Sequence, residues 1–406
     1  MSFVRVAVTG LGMISALGET VGESWVNTRS GLSALREITQ VCTTGFRFCQ
    51  GAEVRNFSPE RHFSEKEGAF LDRFAQLGVV SAREAVAMAG PGWQPPDRHR
   101  TAVVTGSCVG GQNTQDEGFV ALYREPQGRV APLTIPRTMA NAGASQISKE
   151  FGITGPSYTV STACASANHA IGQAFWLVRH GIVDAAITGG SEAPFSPGLL
   201  RAWEAMRVVS PDTCRPFSKD RRGLILGEGG AMLVLERLDS AQARGATIYG
   251  EIVGFGMSAD AHHLTQPLAE GASLAMLSAL RDANLPAEAI GYINAHGTGT
   301  AANDATETAA IRQTFGHYAD QLAVSSTKSL HGHGLGAAGA FEAVLTILAL
   351  RHGILPPTVH YTTPDPLCDL DVIPNTARTA SVEYALSNSF AFGGLNAVLA
   401  FRAWPA

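Results

Sequence analysis

Charge is scarce in this chain. Only 16% of its 406 residues are Asp, Glu, Lys or Arg, against 45% hydrophobic. A chain so apolar folds around a large core rather than staying disordered. Its net charge of −5 gives no general basic field for nucleic acid, so an acidic partner would need a local basic patch. Paired cysteines are missing too. Cys42, Cys49, Cys108, Cys164, Cys214 and Cys368 are scattered, with no CxxC spacing, which excludes a zinc ribbon or a dense disulfide framework. No stretch reads as long and apolar enough to span a bilayer. The start, "MSFVRVAVTGLGMIS", alternates like a strand running into a glycine turn at Gly10 and Gly12, and lacks the form of a signal peptide. Free thiols in a reducing cytoplasm, with neither membrane nor nucleic acid as partner, are the expectation.

Glycine, by contrast, is plentiful, and it follows short apolar runs as at strand-to-helix crossings. Strands are expected at 4–9, 101–105, 184–188, 231–236, 250–256, 291–294, 321–326, 383–387 and 396–401. Helices are expected at 69–89, 165–181, 271–283, 303–315 and 337–352. This alternation is α/β layering. A weak repeat runs through it. "AIGQAFWLVRHGI" (170–182) is similar to "AAGAFEAVLTILALRHGIL" (337–355), and "VDAAITGGSEA" (183–193) pairs loosely with "VEYALSNSFAFGG" (382–394). Helices apolar all round are buried ones. Two similar halves, 1–249 and 250–406, would set their buried helices side by side. Cys164 opens one and His333 precedes the other.

Four segments carry chemistry: "STACASA" with Cys164, "INAHGTGT" with His296, "SSTKSLHGHGLGAAG" with Lys328 and His333, and "SNSFAFGGLN" with Phe392. A cysteine among small residues at a helix start suits a nucleophile that holds an acyl thioester. Two histidines in glycine-rich loops suit hydrogen-bond donors to a developing enolate oxygen. His331 reads as structural.

Together, in order, these motifs resemble the β-ketoacyl-acyl-carrier-protein synthases of the thiolase superfamily, in the Cys-His-His branch called synthase I and II. The resemblance runs from the first strand to the last. It implies a thiolase-like α/β fold, with duplicated βαβ halves in an αβαβα layered sandwich. It also implies decarboxylative condensation of an acyl-Cys164 with malonyl-acyl-carrier protein. His296 and His333 match the donors, Lys328 the lysine that supports them, and Glu307 a glutamate pairing with that lysine and steadying the loop. The backbone N–H groups of Cys164 and Phe392 match an oxyanion hole, and Phe392 also matches a gate. Thr298 and Thr300 match binders of the phosphopantetheine arm. Lys66, Arg129 and Arg207 match carrier-docking positions. Val109, Leu199 and Trp203 fall on acyl-tunnel positions. No metal or resident cofactor is implied, since phosphopantetheine arrives on the carrier protein. The active form would be a homodimer, or a heterodimer with a related ketosynthase-like subunit, with 101–108 and "PRTMANAGASQIS" at its twofold interface.

Departures lie mainly around the acyl chain. Trp203 and Leu199 are bulkier than usual there, and Ala142, Gly143 and Ala144 are expected to free space near the interface. A specialised polyketide or polyene pathway stands beside a fatty-acid one. A non-elongating partner subunit would lack Cys164. A degradative thiolase would need a second cysteine, for which Cys368 in "TPDPLCDL" is unsuited. An initiating or chalcone-type synthase would use Asn388 and leave "HGHGLGAAG" without a purpose.

Overall fold

The computed structural model describes residues 3–90, 93–124 and 128–405. Ten strands form its main sheet. The first five are β1 (Val6–Ser15), β2 (Thr101–Gly106), β3 (Ser157–Val160), β4 (Ala185–Glu192) and β5 (Gly229–Arg237). The second five are β6 (Gly250–Ala259), β7 (Ile290–Asn294), β8 (Ala323–Ser325), β9 (Tyr384–Ala391) and β10 (Leu395–Ala403). Eight helices matter below: α1 (Arg73–Met88), α2 (Gln112–Arg124), α3 (Ala142–Phe151), α4 (Ser166–Arg179), α5 (Pro197–Met206), α6 (Ala269–Ala283), α7 (Ala301–Phe315) and α8 (Ala338–His352).

The sheet order is β3-β2-β4-β5-β1 followed by β6-β10-β9-β7-β8. Read from its own outer edge, each half has the same order. The halves join where Val6–Val8 of β1 pairs antiparallel with Gly250–Ile252 of β6. In each half three strands run parallel (β2, β3 and β4; β7, β8 and β9), so each needs helical crossovers. Helices α4 and α8 touch each other and strands of both halves, forming the middle layer. Helices α1 and α3 cover the first half outside, and α6 and α7 the second. This is the five-layered thiolase-like arrangement.

The middle layer explains the apolar helices. Every residue of α8 from Ala338 to Leu350 is buried, and each Leu, Ile, Val or Phe so buried contributes about 1.5–3 kcal/mol. Gly181 and Gly353 end α4 and α8 with φ of 69° and 61°, the left-handed stop that glycine takes most easily. Leu335–His352 is in fact long and apolar enough to cross a membrane by composition, contrary to the expectation; 89% of it lies buried inside the fold as this central helix.

Gly10 and Gly12 are not a turn. They lie within β1, where a Cβ would come within 2.0 Å of Ala85 O and 1.8 Å of Ser81 O, so glycine lets α1 sit on the strand. Strand β2 is interior, paired on both sides. The open edge of the first half is instead β3, a strand that alternation did not mark. Ala142 and Ala144 pack with Phe74 of α1, and a Cβ on Gly143 would lie 3.7 Å from its ring. Within the chain these small residues belong to an outer core.

Candidate active site

The functional side chains sit at the carboxyl ends of the parallel strands, where two similar halves face each other. Cys164 lies just before α4, whose N-cap is Ala165. The turn is taut: Ala163 has φ 47°, a region costly for any residue with a Cβ. Ser166 braces it, its hydroxyl accepting from Thr162 N–H at 2.9 Å and donating to Ala163 O at 2.6 Å. At the end of β2, Gly106 leaves room for the helix start, since a Cβ there would meet Ala167 N at 2.4 Å.

His296 follows β7, and His333 and Lys328 lie in the long connection from β8 to α8. Reactive atoms of Cys164, His296 and His333 all fall within 4.8 Å of one another. The two imidazole rings meet edge to face, centroids 5.5 Å apart. His333 Nδ1 accepts from Leu335 N–H at 3.0 Å, which leaves the proton of the neutral ring on Nε2. His296 Nδ1 is buried with no hydrogen-bond partner. Burial, with the nearby Lys328 charge, holds both histidines well below their ordinary pKa, so both rings are neutral donors at pH 7. Burial also pushes the Cys164 thiol up to about 11, against the pull of Lys328 and of the Phe392 and Cys164 backbone amides.

Lys328 is fully buried, and its partner is Glu342 of α8. Glu307 does not pair with it as expected. The Glu307 carboxylate instead accepts the N–H groups of His296 (2.8 Å) and Gly297 (2.7 Å) and the amides of Asn303 and Asn388, and so fixes the His296 turn. Sequence reasoning missed Glu342, although a lone acid in an otherwise apolar helix signals a buried partner. Asn388 stands behind His296 on Glu307, which takes away its use as a catalytic amide. His331 is packed between Thr327 Oγ1 (3.0 Å) and Gly332 O (2.8 Å), a structural role. Glu342 Oε2, Ser387 Oγ and Asn388 Oδ1 are buried without hydrogen-bond partners among the described residues. Cys368 belongs to the outer core of the second half.

A cavity of about 650 Å³, including its open mouth, leads to Cys164, His296 and His333. Thr298, Thr300, Trp203, Leu224, Phe390 and Phe392 are among its walls. Thr298 and Thr300 hydroxyls bond each other at 2.8 Å. The Trp203 ring stacks on Phe392, centroids 6.2 Å apart and planes 26° apart. After Phe392 come Gly393 and Gly394, with φ of 86° and 70°. Leu199 and Val109 are not among the cavity walls; Leu199 joins the apolar cluster behind Trp203 and Phe392. Of the basic residues, Arg207 is exposed at the end of α5 beside cavity-lining Val208, and Lys66 and Arg129 are exposed elsewhere on the surface.

Residues 4–241 match the family of the beta-ketoacyl synthase N-terminal domain, and residues 249–362 that of its C-terminal domain. Nodulation protein E of Rhizobium sp. (strain N33) is 46% identical over 398 residues, covering 98% of this chain and 99% of the relative. The 3-oxoacyl-[acyl-carrier-protein] synthase 2 of Staphylococcus aureus (strain MRSA252) is 42% identical, covering 99% of each chain. Among solved structures, the ishigamide ketosynthase/chain length factor superposes with a TM-score of 0.94 at 36% identity, covering 99% of this chain and 100% of that one.

Proposed function

The chain belongs to the β-ketoacyl synthase family, and on that premise we propose how it joins acyl units by decarboxylative condensation in fatty acid or polyketide synthesis. One observation carries the reading: a cysteine and two neutral histidines within 4.8 Å of one another, beside a buried lysine. The Cys164 sulfur attacks the carbonyl of an acyl-carrier thioester. The carrier thiol leaves, taking up a proton, and the acyl group stays on Cys164. The backbone N–H groups of Cys164 and Phe392, both directed at the sulfur's surroundings, suit the thioester oxygen.

Malonyl-carrier protein then enters past Thr298 and Thr300. Its carboxylate leaves as CO₂, and the electron pair moves into an enolate. The His333 Nε2–H and the His296 ring donate to the enolate oxygen. The enolate carbon attacks the acyl carbonyl, and collapse expels Cys164 as leaving group, giving the β-ketoacyl-carrier product. Burial keeps the histidines neutral, and the charge of Lys328 adds to it. No resident cofactor enters these steps, because phosphopantetheine comes with each substrate.

Arg207, next to cavity-lining Val208, and the exposed Lys66 and Arg129 are the proposed docking residues for an acidic carrier protein. An oligomer is supported by exposed apolar side chains on α2 and the segment after it, among them Phe119, Val120, Tyr123, Val130, Ile135 and Met139, and by the open edge of β3. A second copy, or a related ketosynthase-like subunit, is the partner. The two halves, 1–249 and 250–406, act as one catalytic unit, supported by their common strand order. The six free thiols favour a cytoplasmic setting.

The test is incubation with an acyl-carrier thioester and measurement of intact mass. One acyl increment on the Cys164 peptide is expected, and unchanged labelling of Cys164→Ala would sink the assignment.

A further inference from the structure

Behind the site, at the end of β4, lies a carboxylate with no part in the chemistry above. Glu192 is fully buried and accepts four hydrogen bonds. Oε1 takes the Ser107 hydroxyl at 2.9 Å and Val109 N–H at 3.2 Å. Oε2 takes Cys108 N–H at 2.7 Å and Gly336 N–H at 3.0 Å. Three of these donors belong to the turn after β2. The fourth belongs to the turn just after His333. No hydrogen-bonding cation is among the partners, so the carboxylate is held by dipoles alone.

The Gly336 bond matters because of its neighbour. Leu335 has φ 48°, a strained conformation for a branched side chain. Its N–H is the donor that fixes His333 Nδ1. Nothing larger than glycine fits next to it: a Cβ on Gly336 would lie 2.5 Å from both Cys108 N and Glu192 Oε2. On the other side, His333 N–H donates to Ile225 O at 2.6 Å and His333 O accepts from Gly227 N–H at 2.9 Å. The histidine backbone is therefore anchored ahead of the strained residue, and Glu192 anchors the chain behind it.

We propose that Glu192 is a positioning residue that clamps the strained Leu335–Gly336 turn against the Ser107–Val109 turn and thereby keeps His333 in its Nε2–H form, aimed at the enolate. This deepens the proposed function and rests on His333 being a decarboxylation donor. The clamp needs a carboxylate. Burial pushes Glu192 up to about 7, while its hydrogen bonds draw it down. An acid or an amide there must present a donor of its own, and at least one backbone N–H then loses its acceptor.

Glu192→Gln tests this without changing shape. Malonyl decarboxylation should fall about ten- to a hundredfold in kcat, the size expected of a displaced catalytic group, with KM unchanged. Acyl loading of Cys164 should keep its rate. In ¹⁵N-histidine spectra, His333 should lose its single Nε2–H signature. Equal loss of both half-reactions in proportion to unfolded protein would reduce Glu192 to a structural role and overturn the inference. So would an unchanged His333 tautomer. If Glu192→Gln fails to fold, Ser107→Ala removes one donor, and a smaller loss confined to decarboxylation is expected; loss from loading alone, or no loss, overturns the inference. His333→Ala is the reference. Decarboxylation that survives in it removes the proposed role of His333; decarboxylation lost there but normal in both other variants removes only the role of Glu192.

Discussion

Equivalent strands of the two halves end in different turns. In the first half, residues 161–165 take the chain from β3 into α4 by the shortest route. In the second, residues 326–337 make the same crossing from β8 to α8 by a longer one. Each crossing contains one strained residue without glycine's freedom, Ala163 at φ 47° and Leu335 at φ 48°. The short turn has room only to raise a sulfur at the helix start. The long turn has room for a buried ammonium, a packed His331 and a histidine with a fixed tautomer. Under the proposed function, a duplicated scaffold thus supplies the nucleophile from one copy and the electrostatic site from the other.

If the turns divide the work so cleanly, the largest effects should separate it. Cys164→Ala should end acyl loading and condensation outright. Cys164→Gln should end condensation yet retain malonyl decarboxylation, read as CO₂ release, because the second turn is intact. Loss of decarboxylation in Cys164→Gln would mean that the turns are not independent. His333→Ala should cut decarboxylation on the order of a hundredfold or more, the usual cost of one oxyanion donor, while intact mass still shows acyl loading. Near-normal condensation by folded His333→Ala protein would refute its role.

The buried pair sharpens the comparison at the level of stability. Lys328→Ala would leave the Glu342 carboxyl without its partner in the middle layer, where burial drives it toward the protonated acid, a loss of up to about 3–5 kcal/mol measurable by denaturant unfolding. Replacing the pair with Lys328→Met and Glu342→Leu should restore most of that stability but not decarboxylation. If the double variant also regained activity, the lysine would be there for folding alone.

Much of this division could be read in the sequence, because its signals are local. Apolar helices ending at Gly181 and Gly353, and the order of Cys164, His296, Lys328 and His333, needed no tertiary information. What stayed hidden was pairing across layers. Glu307 and Glu342 are both acids on helices near the lysine, and only packing reveals that Glu342 meets it while Glu307 caps backbone N–H groups. Gly10 and Gly12 look like a turn until α1 is laid across them. Helices α2, α3 and α5 escaped notice because they are only partly buried, and the edge strand β3 because it has four residues, none of them buried, which blurs the periodicity.

The halves should also respond differently to pH. Alkylation of Cys164 by iodoacetamide should climb up to about tenfold per unit, without a plateau below about pH 9, since its thiol is raised to about 11 and thiolate is the reacting form. The histidines lie well below 6.5 and are already neutral. Decarboxylation by Cys164→Gln should therefore gain nothing from histidine titration between about pH 6 and about pH 8. The rise expected there is centred near pH 7, where Glu192 becomes the carboxylate that its clamp needs, and it should vanish when Glu192→Gln is added; a rise that survives Glu192→Gln would show that a charged imidazole has to lose its proton.

The smallest expected effect lies where the halves touch through aromatic rings. Trp203 comes from α5 in the first half, and Phe392 follows β9 in the second. Their stacking puts a flat wall in the cavity that leads to Cys164. The small residues expected to widen the tunnel, Ala142, Gly143 and Ala144, pack on α1 and are not among the cavity walls, which makes this aromatic wall the candidate for specificity. A rigid polyunsaturated chain can lie against an indole along its length, whereas a flexible saturated chain loses more rotational freedom in doing so. Aromatic stacking contributes about 0.5–1.5 kcal/mol beyond burial, so Trp203→Phe should lower kcat/KM for polyunsaturated acyl-carrier thioesters by less than about tenfold and leave saturated ones nearly unchanged. Competition between the two thioesters in one reaction measures the ratio directly. Equal use by the native chain, or a saturated preference that Trp203→Phe does not move, would place chain selection elsewhere than on the Trp203–Phe392 wall.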